Sequence, residues 1–340
     1  MREVLVNPLS GYYMFNDVFG KKGDFVTSPE ISQVFGELCG IWYLTEWMRL
    51  GQPSKTQIIE FGPGRGTLMS DMLRTLAQFP YFYKTLTDVH LIEASPGLRK
   101  IQRDHLIQGS PSTDKEVVCD KGADSSETMT REDGIRVSWH DGIELVPDGW
   151  SLVMAHEFFD ALPIHSFEKT DSDWRELLID MDDKISPDAY KFMHIIAQFL
   201  GRNGGTGLAI DYGQDYIQGD TLRAIRKHAI VHPMSDPGSA DLSADVDFSF
   251  LKQAIQHYNK TEGKELTAYG PTTQQEFLKS LGIAARIEQL FKNAKTSEQR
   301  KTLLDGAERL MDSKAMGRIY KVLAFSNEQI NKTTKKPVGF

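Results

Sequence analysis

The stretch Ile58–Leu68, IIEFGPGRGTL, decides the fold. Residues 56–61 form an apolar run with the length of a short strand, and Leu68, Met69, Met72, Leu73 and Leu76 follow at helical spacing. Between the two, Gly62, Gly64 and Gly66 alternate with Pro63 and Arg65. Glycines so placed let the backbone turn tightly and lie against a ligand without side chains in between. In a doubly wound α/β sheet that turn sits at the carboxyl ends of the strands, where nucleotides bind. The spacing is G-x-G-x-G rather than the dinucleotide G-x-G-x-x-G, and Glu60 stands two residues before the first glycine. A carboxylate there opposes a pyrophosphate at the helix N-terminus. It suits a sulfonium ligand that carries an ammonium group and no phosphate. The turn alone is equally compatible with a plain strand-to-helix connection, so the acids beyond it must decide.

Two further strand ends carry acids. Asp88–Glu93 (DVHLIE) closes on Glu93, about one βαβ step after Glu60, where a carboxylate can accept both ribose hydroxyls. Asp141 follows the strand Ile135–Trp139 and is placed to accept an adenine amino group, with Trp139 or His140 for stacking. Three strand-end acids in order favour S-adenosylmethionine. Its candidate ligands are Glu60, Gly62, Gly64, Gly66, Thr67, Glu93 and Asp141.

The same alternation runs outward in both directions. A helix is expected over Leu98–Gln108, strands over Ser151–Ala155 and Gly207–Asp211, a short helix over Lys191–Leu200 and an antiparallel excursion over Trp174–Met181. Strands alternating with helices predict a parallel sheet covered on both faces. Helices are expected over Phe248–Tyr258 and Thr273–Asp312, and strands near Glu265–Tyr269 and Arg318–Phe325 could close the sheet as an antiparallel edge pair. Upstream, Ser28-Pro29-Glu30 reads as the N-cap and first turn of a helix whose face is Ile31, Val34, Phe35, Leu38, Ile41, Trp42 and Leu44. Residues 109–134 are polar and read as a mobile loop, and 331–340 as a disordered tail.

The acceptor side is read from His156–Pro163, HEFFDALP, after the fourth strand. Glu157 and Asp160 flank two phenylalanines. Paired carboxylates with aromatic walls suit a flat cation, which they hold by bidentate hydrogen bonds; a capped turn with a Phe-Phe core plug is the competing reading. Asp211, ending a strand, either lines the acceptor pocket or caps a turn. The acidic run Asp236–Asp247 either attracts a basic partner or is solvated surface. His228 and His232 have helical metal-pair spacing, but no carboxylate motif accompanies them and Pro233 follows, so no metal is expected.

Composition sets the outer limits. The 340 residues are 40% hydrophobic and carry a net charge of -8, which opposes general affinity for nucleic acid or anionic membrane. No apolar run reaches the ~18 residues of a membrane span. Cys39 and Cys119 are the two cysteines, too few for a disulfide framework, and read as thiols in a reducing compartment. Residues 1–20 lack both a signal-peptide core and the Arg-rich face of a mitochondrial presequence.

Seven segments together resemble the MidA family, in eukaryotes the mitochondrial complex I assembly-factor protein arginine methyltransferase. They are GDFVTSPEISQVFGEL (23–38), IIEFGPGRGTLMSDMLR (58–74), HLIEASPGLRKIQ (90–102), AHEFFDALPIHSF (155–167), LAIDYG (208–213), PGSADLSADVDFSFL (237–251) and MGRIYKVL (316–323). The resemblance implies a Rossmann-like seven-stranded S-adenosylmethionine-dependent methyltransferase sheet with N-terminal and C-terminal helical additions. It implies an N-terminal helical segment over 1–55 covering the site, and a methyltransferase domain over 56–330 with a helical insertion about 273–312. It further implies a mitochondrial matrix location, with the presequence absent from this chain. The implied activity is symmetric dimethylation of an arginine in a complex I core subunit, which would be the partner. Glu157 and Asp160 become the catalytic candidates, holding the guanidinium. Relative to the family, the region between Asp183 and Gly204 reads as shortened. Two rivals stay open: a methyltransferase with another acceptor, and a non-catalytic complex I assembly scaffold that keeps the fold. A nicotinamide oxidoreductase is disfavoured by the glycine spacing and by Glu60.

Overall fold

The computed structural model describes residues 1, 4–5, 7, 11–15, 27–107, 127–169, 174–177, 184–219, 221–226, 229–233, 235–236, 238–328 and 335–340. Among the sequence expectations, Gly23–Val26, residues 109–126, Cys119, residues 178–183, His228 and residues 331–334 lie outside the described residues.

The main sheet is built from β1 (Thr56–Phe61), β2 (Leu86–Ile92), β3 (Glu127–Thr130), β4 (Arg136–His140) and β5 (Ser151–His156). Two strands next in sequence, β6 (His165–Lys169) and β7 (Trp174–Leu177), pair with each other and with β8 (Lys184–Ile185) in a separate small sheet. The main sheet resumes with β9 (Gly205–Gln214). A second small sheet holds β10 (Arg223–Arg226), β11 (Ala229–Val231) and β12 (Asp241–Ser243). After β13 (Val246–Asp247), which pairs with the end of β9, come β14 (Leu266–Thr273) and β15 (Tyr320–Asn327). The order across the main sheet is β14-β15-β9-β5-β1-β2-β4-β3. Its parallel heart is β9-β5-β1-β2-β4. The strands β15 and β14 close one side antiparallel, as the edge pair expected from sequence. These seven strands match in number the seven-stranded sheet that the resemblance implies, and β3 adds one more antiparallel strand at the far edge.

Helices cover both faces because the buried strands are apolar on both. Ile58, Met154 and Ile210 pack toward α1 (Gln33–Arg49) and α2 (Thr67–Leu76). The alternate residues Ile59, Val153 and Ala209 pack toward α4 (Pro187–Asn203) and α5 (Phe248–Glu262). Between these pairs in sequence lies α3 (Pro96–Leu106), beside the glycine turn. The region 274–311 forms α6 (Gln274–Ser280), α7 (Ile283–Asn293) and α8 (Ser297–Met311), three helices in place of one block. Close packing of α1 on α2 depends on Gly36, where a Cβ would lie 2.6 Å from that of Asp71.

Several boundaries differ from the sequence reading. Ser28 does not cap the long helix. Ser28–Ile31 is a separate turn, the chain extends at Ser32 (φ −157°, ψ 129°), and Ser32 Oγ accepts from Val34 N, so Ser32 is the cap. The polar stretch to residue 134 includes β3 rather than loop throughout. The helix expected over Lys191–Leu200 extends in both directions, capped by Ser186 Oγ on Ala189 N. The end of the expected disordered tail is docked: Trp42 Nε1 donates to Val338 O at 3.1 Å, and the Phe340 ring lies 6.0 Å from that of Phe277. A buried indole needs an acceptor, and this segment supplies it.

Candidate active site

Strand register brings the motif ends together. Phe61 lies opposite Ile92 on one side and Ala155 on the other, so Gly62, Glu93 and His156-Glu157 emerge side by side. Gly62 has φ +59°, and a Cβ there would meet Phe158 Cδ2 at 3.2 Å. Gly66 (φ +81°) stands at the N-cap of α2. Both conformations are ones that residues with a Cβ rarely adopt.

Above the strand ends is a cavity of about 180 Å³ whose walls include Gly62, Gly64, Glu93, Glu157 and Asp160. Five of the nine residues singled out from sequence therefore meet in one space. Glu60 and Thr67 line a smaller adjoining pocket of about 50 Å³, shared with Gly62, Gly64 and Glu157. Gly66 lines neither space and shapes the turn. Asp141 lines neither space and is largely exposed. It is tied to Glu93 through Arg99, whose Nη2 donates to both Glu93 O and Asp141 Oδ1. The stacking expected of Trp139 or His140 is corrected. Trp139 is wholly buried in the core, and His140 is buried with its Nε2 2.9 Å from His90 Nδ1.

On the cofactor side, Glu93 is held firmly. Its Oε1 accepts from Ser95 N (2.8 Å) and its Oε2 from Gln102 Nε2 (3.1 Å). Burial nevertheless raises its carboxyl to about 7. Gln102 also donates to Gly64 O (2.7 Å) and accepts from Trp139 Nε1 (2.9 Å), so one buried amide locks the glycine turn to Glu93. The sequence reading missed Gln102; its place on α3, nine residues after Glu93, was the available signal. Glu60 is buried with Oε2 unpartnered among the described residues, and burial raises it to about 8.

On the acceptor side, Glu157 occupies φ +49°, a strained value for a residue with a Cβ. Burial, and then Asp160, raise it to about 8, although Ser28 N–H and the Tyr320 hydroxyl donate to it. Its Oε1 has no hydrogen-bond partner among the described residues. His156 Nε2 lies 3.4 Å away, but burial lowers that imidazole to about 3, so the two are not an ion pair at neutrality. Asp160 takes the Tyr212 hydroxyl on Oδ2 and leaves Oδ1 unpartnered among the described residues. Burial raises it to about 6. Asp211 is a turn cap: its carboxylate accepts from the N–H groups of Phe159, Asp160 and Tyr212, and it does not line the cavity. Asp241, from the run whose competing reading was solvated surface, is 4% exposed and lines the cavity. Tyr13 donates to Asp241 Oδ1 (2.7 Å), and its carbonyl accepts from Ser95 Oγ (2.7 Å), which joins the two sides. Leu5 and Thr27 complete the wall from the N-terminal segment. Tyr13, Tyr212, Tyr320 and Asp241 were not identified as site residues from sequence.

The arrangement is a glycine turn and the buried Glu93 beside three more carboxylates in a partly apolar cavity. Among the described residues no helix is long and apolar enough to cross a membrane.

The comparisons with known proteins agree with this geometry. Residues 38–185 and 184–267 match a family model described as "Putative S-adenosyl-L-methionine-dependent methyltransferase". A Burkholderia thailandensis protein solved with S-adenosylhomocysteine bound superposes with a TM-score of 0.74 at 21% identity, over 99% of this chain and 88% of that one, so the fold is shared. Fold and family together define an S-adenosylmethionine-dependent methyltransferase. The protein arginine methyltransferase NDUFAF7, mitochondrial, of Xenopus tropicalis is 39% identical over 372 residues, covering all of this chain and 84% of that protein. Its Homo sapiens counterpart is 38% identical, over 97% of this chain and 79% of that protein. The chain belongs to this family, the one its motifs resemble.

Proposed function

We propose that this protein methylates arginine in a protein substrate, using Glu157 and Asp160 to hold the guanidinium. The observation that carries the reading is the convergence of Glu157, Asp160 and Asp241 on one buried cavity next to the glycine cradle. Glu157 and Asp160 each keep one buried oxygen without a partner among the described residues, which fits a ligand that brings positive charge and several N–H donors, and a guanidinium brings both.

The residues present fit the cofactor. Gly62 and Gly64 give it backbone, Glu93 an acceptor for ribose hydroxyls, Glu60 a buried acid for its ammonium group, and the exposed Asp141 an acceptor for adenine. When bound, S-adenosylmethionine supplies an electrophilic methyl group. Glu157 and Asp160 orient the guanidinium and draw its charge toward them, which leaves one nitrogen facing that methyl. A nitrogen that gains a methyl must shed a proton. A carboxyl whose affinity for protons sits near neutrality is well matched to take it, and Glu157 is that group. Positioning of this kind is worth roughly 7–11 kcal/mol in well-oriented reactions.

The finer reading is symmetric dimethylation of an arginine in a mitochondrial complex I core subunit, in support of complex I assembly. The names of the relatives and the motif resemblance support it. Mass spectrometry of complex I subunits from mitochondria with and without this protein tests it. The expected result is loss of one symmetric dimethylarginine and its return with the wild-type chain. Unchanged arginine methylation across the core subunits would remove the assignment.

A further inference from the structure

The turn 158–164 is a wall with two sides. Phe158, Asp160 and Leu162 face the cavity. Phe159 and Ile164 face a second concavity behind it, of about 450 Å³, bounded by the segments 216–218 and 244–250. We propose that this groove binds the polypeptide that carries the acceptor arginine, taking the basic segment that flanks it. The proposal rests on the arginine reading above.

Adjacency to the active site is the first argument. The groove shares its wall with the acceptor cavity, and Ala244 N donates to Asp160 O at 3.1 Å across that wall. The two spaces are thus opposite faces of one hydrogen-bonded strap. Charge is the second. Asp245 and Asp247 line the groove, and its lining contains no lysine, arginine or histidine. Both acids are fixed in place: Arg223 holds Asp245 and offsets its charge, and the first N–H groups of α5 hold Asp247, which is left as the acid that attracts a basic segment at short range. The third argument is the surface itself. Tyr216 and Ile217 are 61% and 40% exposed at the rim, two adjacent large side chains held out in solvent. Gln218 Oε1, from the same segment, is buried and lacks a hydrogen-bond partner among the described residues. The backbone N–H of an extended peptide supplies the donor it lacks.

The same wiring gives the groove a line to the chemistry. The guanidinium of Arg223, which binds Asp245 in the groove wall, stacks over the Tyr212 ring at 4.5 Å. Tyr212 in turn donates to Asp160 in the cavity. A peptide seated in the groove therefore packs against the residues that position the catalytic acid.

The test uses the full chain and two acceptors. One is a pool of peptides of about thirteen residues with a central arginine and randomised flanks, long enough at ~3.4 Å per extended residue to cross both spaces. The other is N-acetylarginine amide, which has no flanks. Tyr216→Ala/Ile217→Ser is expected to raise KM for the pool about tenfold, the loss of ~1.4 kcal/mol of binding. Kcat, S-adenosylmethionine affinity and thermal stability are expected to stay within about twofold or a few degrees of wild type. Gln253→Lys, at the exposed edge of the groove, is expected to act the same way on KM through charge, and Gln253→Glu is expected not to weaken binding. Unchanged KM for the pool in both the double variant and Gln253→Lys overturns the proposal. So does equal wild-type efficiency on the pool and on N-acetylarginine amide, although the arginine reading then stands. If the double variant turns a dimer into a monomer without moving KM, the groove is a self-interface and the proposal also fails. Wild type that methylates neither acceptor removes the arginine reading, and this proposal with it.

Discussion

The two halves of the active site are finished to different degrees. Around Glu93 the polar groups close on one another: Ser95 and Gln102 donate to its carboxylate, and Gln102 also serves Gly64 and Trp139. Around Glu157 and Asp160 one oxygen of each acid is held by a tyrosine, while the other is buried without a partner among the described residues. Each buried unpartnered polar atom costs about 1–3 kcal/mol. Around Glu93 the chain supplies the partners itself, although Glu60, on the same side, keeps Oε2 buried without a partner among the described residues. On the proposed reading, a cationic, N–H-rich ligand supplies the partners that the Glu157 and Asp160 oxygens lack and relieves that cost.

The sharpest way to break this contrast is Glu157→Gln. The amide keeps the shape, and glutamine meets the same backbone strain at φ +49°, so the fold is expected to persist. Removing one partner from a buried charged pair costs about 3–5 kcal/mol. Methyl transfer should fall by a factor of a hundred or more, while the calorimetric affinity for S-adenosylmethionine moves less than about threefold. Transfer at the wild-type rate would return Glu157 to the capped-turn reading.

The complementary variant lies in the closed half. Gln102→Ala strips donors or acceptors from Gly64, Glu93 and Trp139 at once. S-adenosylmethionine binding should weaken about tenfold, in line with ~1.5 kcal/mol for a hydrogen-bonded group serving a charged one. Kcat at saturating cofactor should remain near wild type. A loss of kcat with unchanged cofactor affinity would mean that the two halves are not separable in this way.

How much of this was legible in the sequence follows the same division. The parallel sheet, the glycine turn and Glu93 were readable because each depends on local order: apolar runs, alternate glycines, an acid at a strand end. Asp241, Tyr212 and Tyr320 were not, because their roles come from pairing across long sequence separations, and Gln102, although near Glu93 in sequence, meets Gly64 and Trp139 only in the fold. Tyr320 reaches Glu157 because β15 returns antiparallel beside β9, with Tyr320 opposite Tyr212. Asp241 reaches the cavity because β12 folds against the N-terminal segment through Tyr13. The stacking expected of Trp139 failed for the opposite reason. An aromatic side chain in a strand is more readily core than ligand wall, and here its N–H is spent on Gln102.

Acidity sharpens the comparison through stability. Burial raises Glu60 and Glu157 to about 8 and Glu93 to about 7. In the unfolded chain these acids have lost their protons well below pH 6.5. The folded state then binds more protons, so stability falls as pH rises toward the folded values. The buried histidines His90, His140 and His156, lowered to about 4, 4 and 3, act in the opposite sense, but mainly below the unfolded histidine value near 6.5. By about pH 7.5 the unfolded histidines are largely neutral, and from there to pH 8 Glu60 and Glu157 act almost unopposed while Glu93 has largely ionised. The ligand-free protein should lose on the order of 1 kcal/mol per pH unit for each of Glu60 and Glu157, read as a falling Tm. A saturating arginine peptide should flatten that fall, because a guanidinium favours the ionised carboxylates. A Tm that rises across this window would show that the acids are not held protonated.

The smallest expected effect tests the boundary of the closed half. Asp141 is 60% exposed on its side chain and is bridged to Arg99 at 2.5 Å, whereas Glu93 is buried. If Asp141 accepts the adenine amino group, the contact is made at an exposed position where a single hydrogen bond contributes about 0.5–1.5 kcal/mol. Asp141→Asn keeps an acceptor and loses the charge that holds Arg99. S-adenosylmethionine affinity should therefore drop only about threefold, with no change in kcat and no preference shift toward an inosine analogue of the cofactor. An effect as large as that of Gln102→Ala would place Asp141 in the closed network. No effect at all would leave adenine recognition to the apolar wall and the backbone, and end the closed half at Glu93.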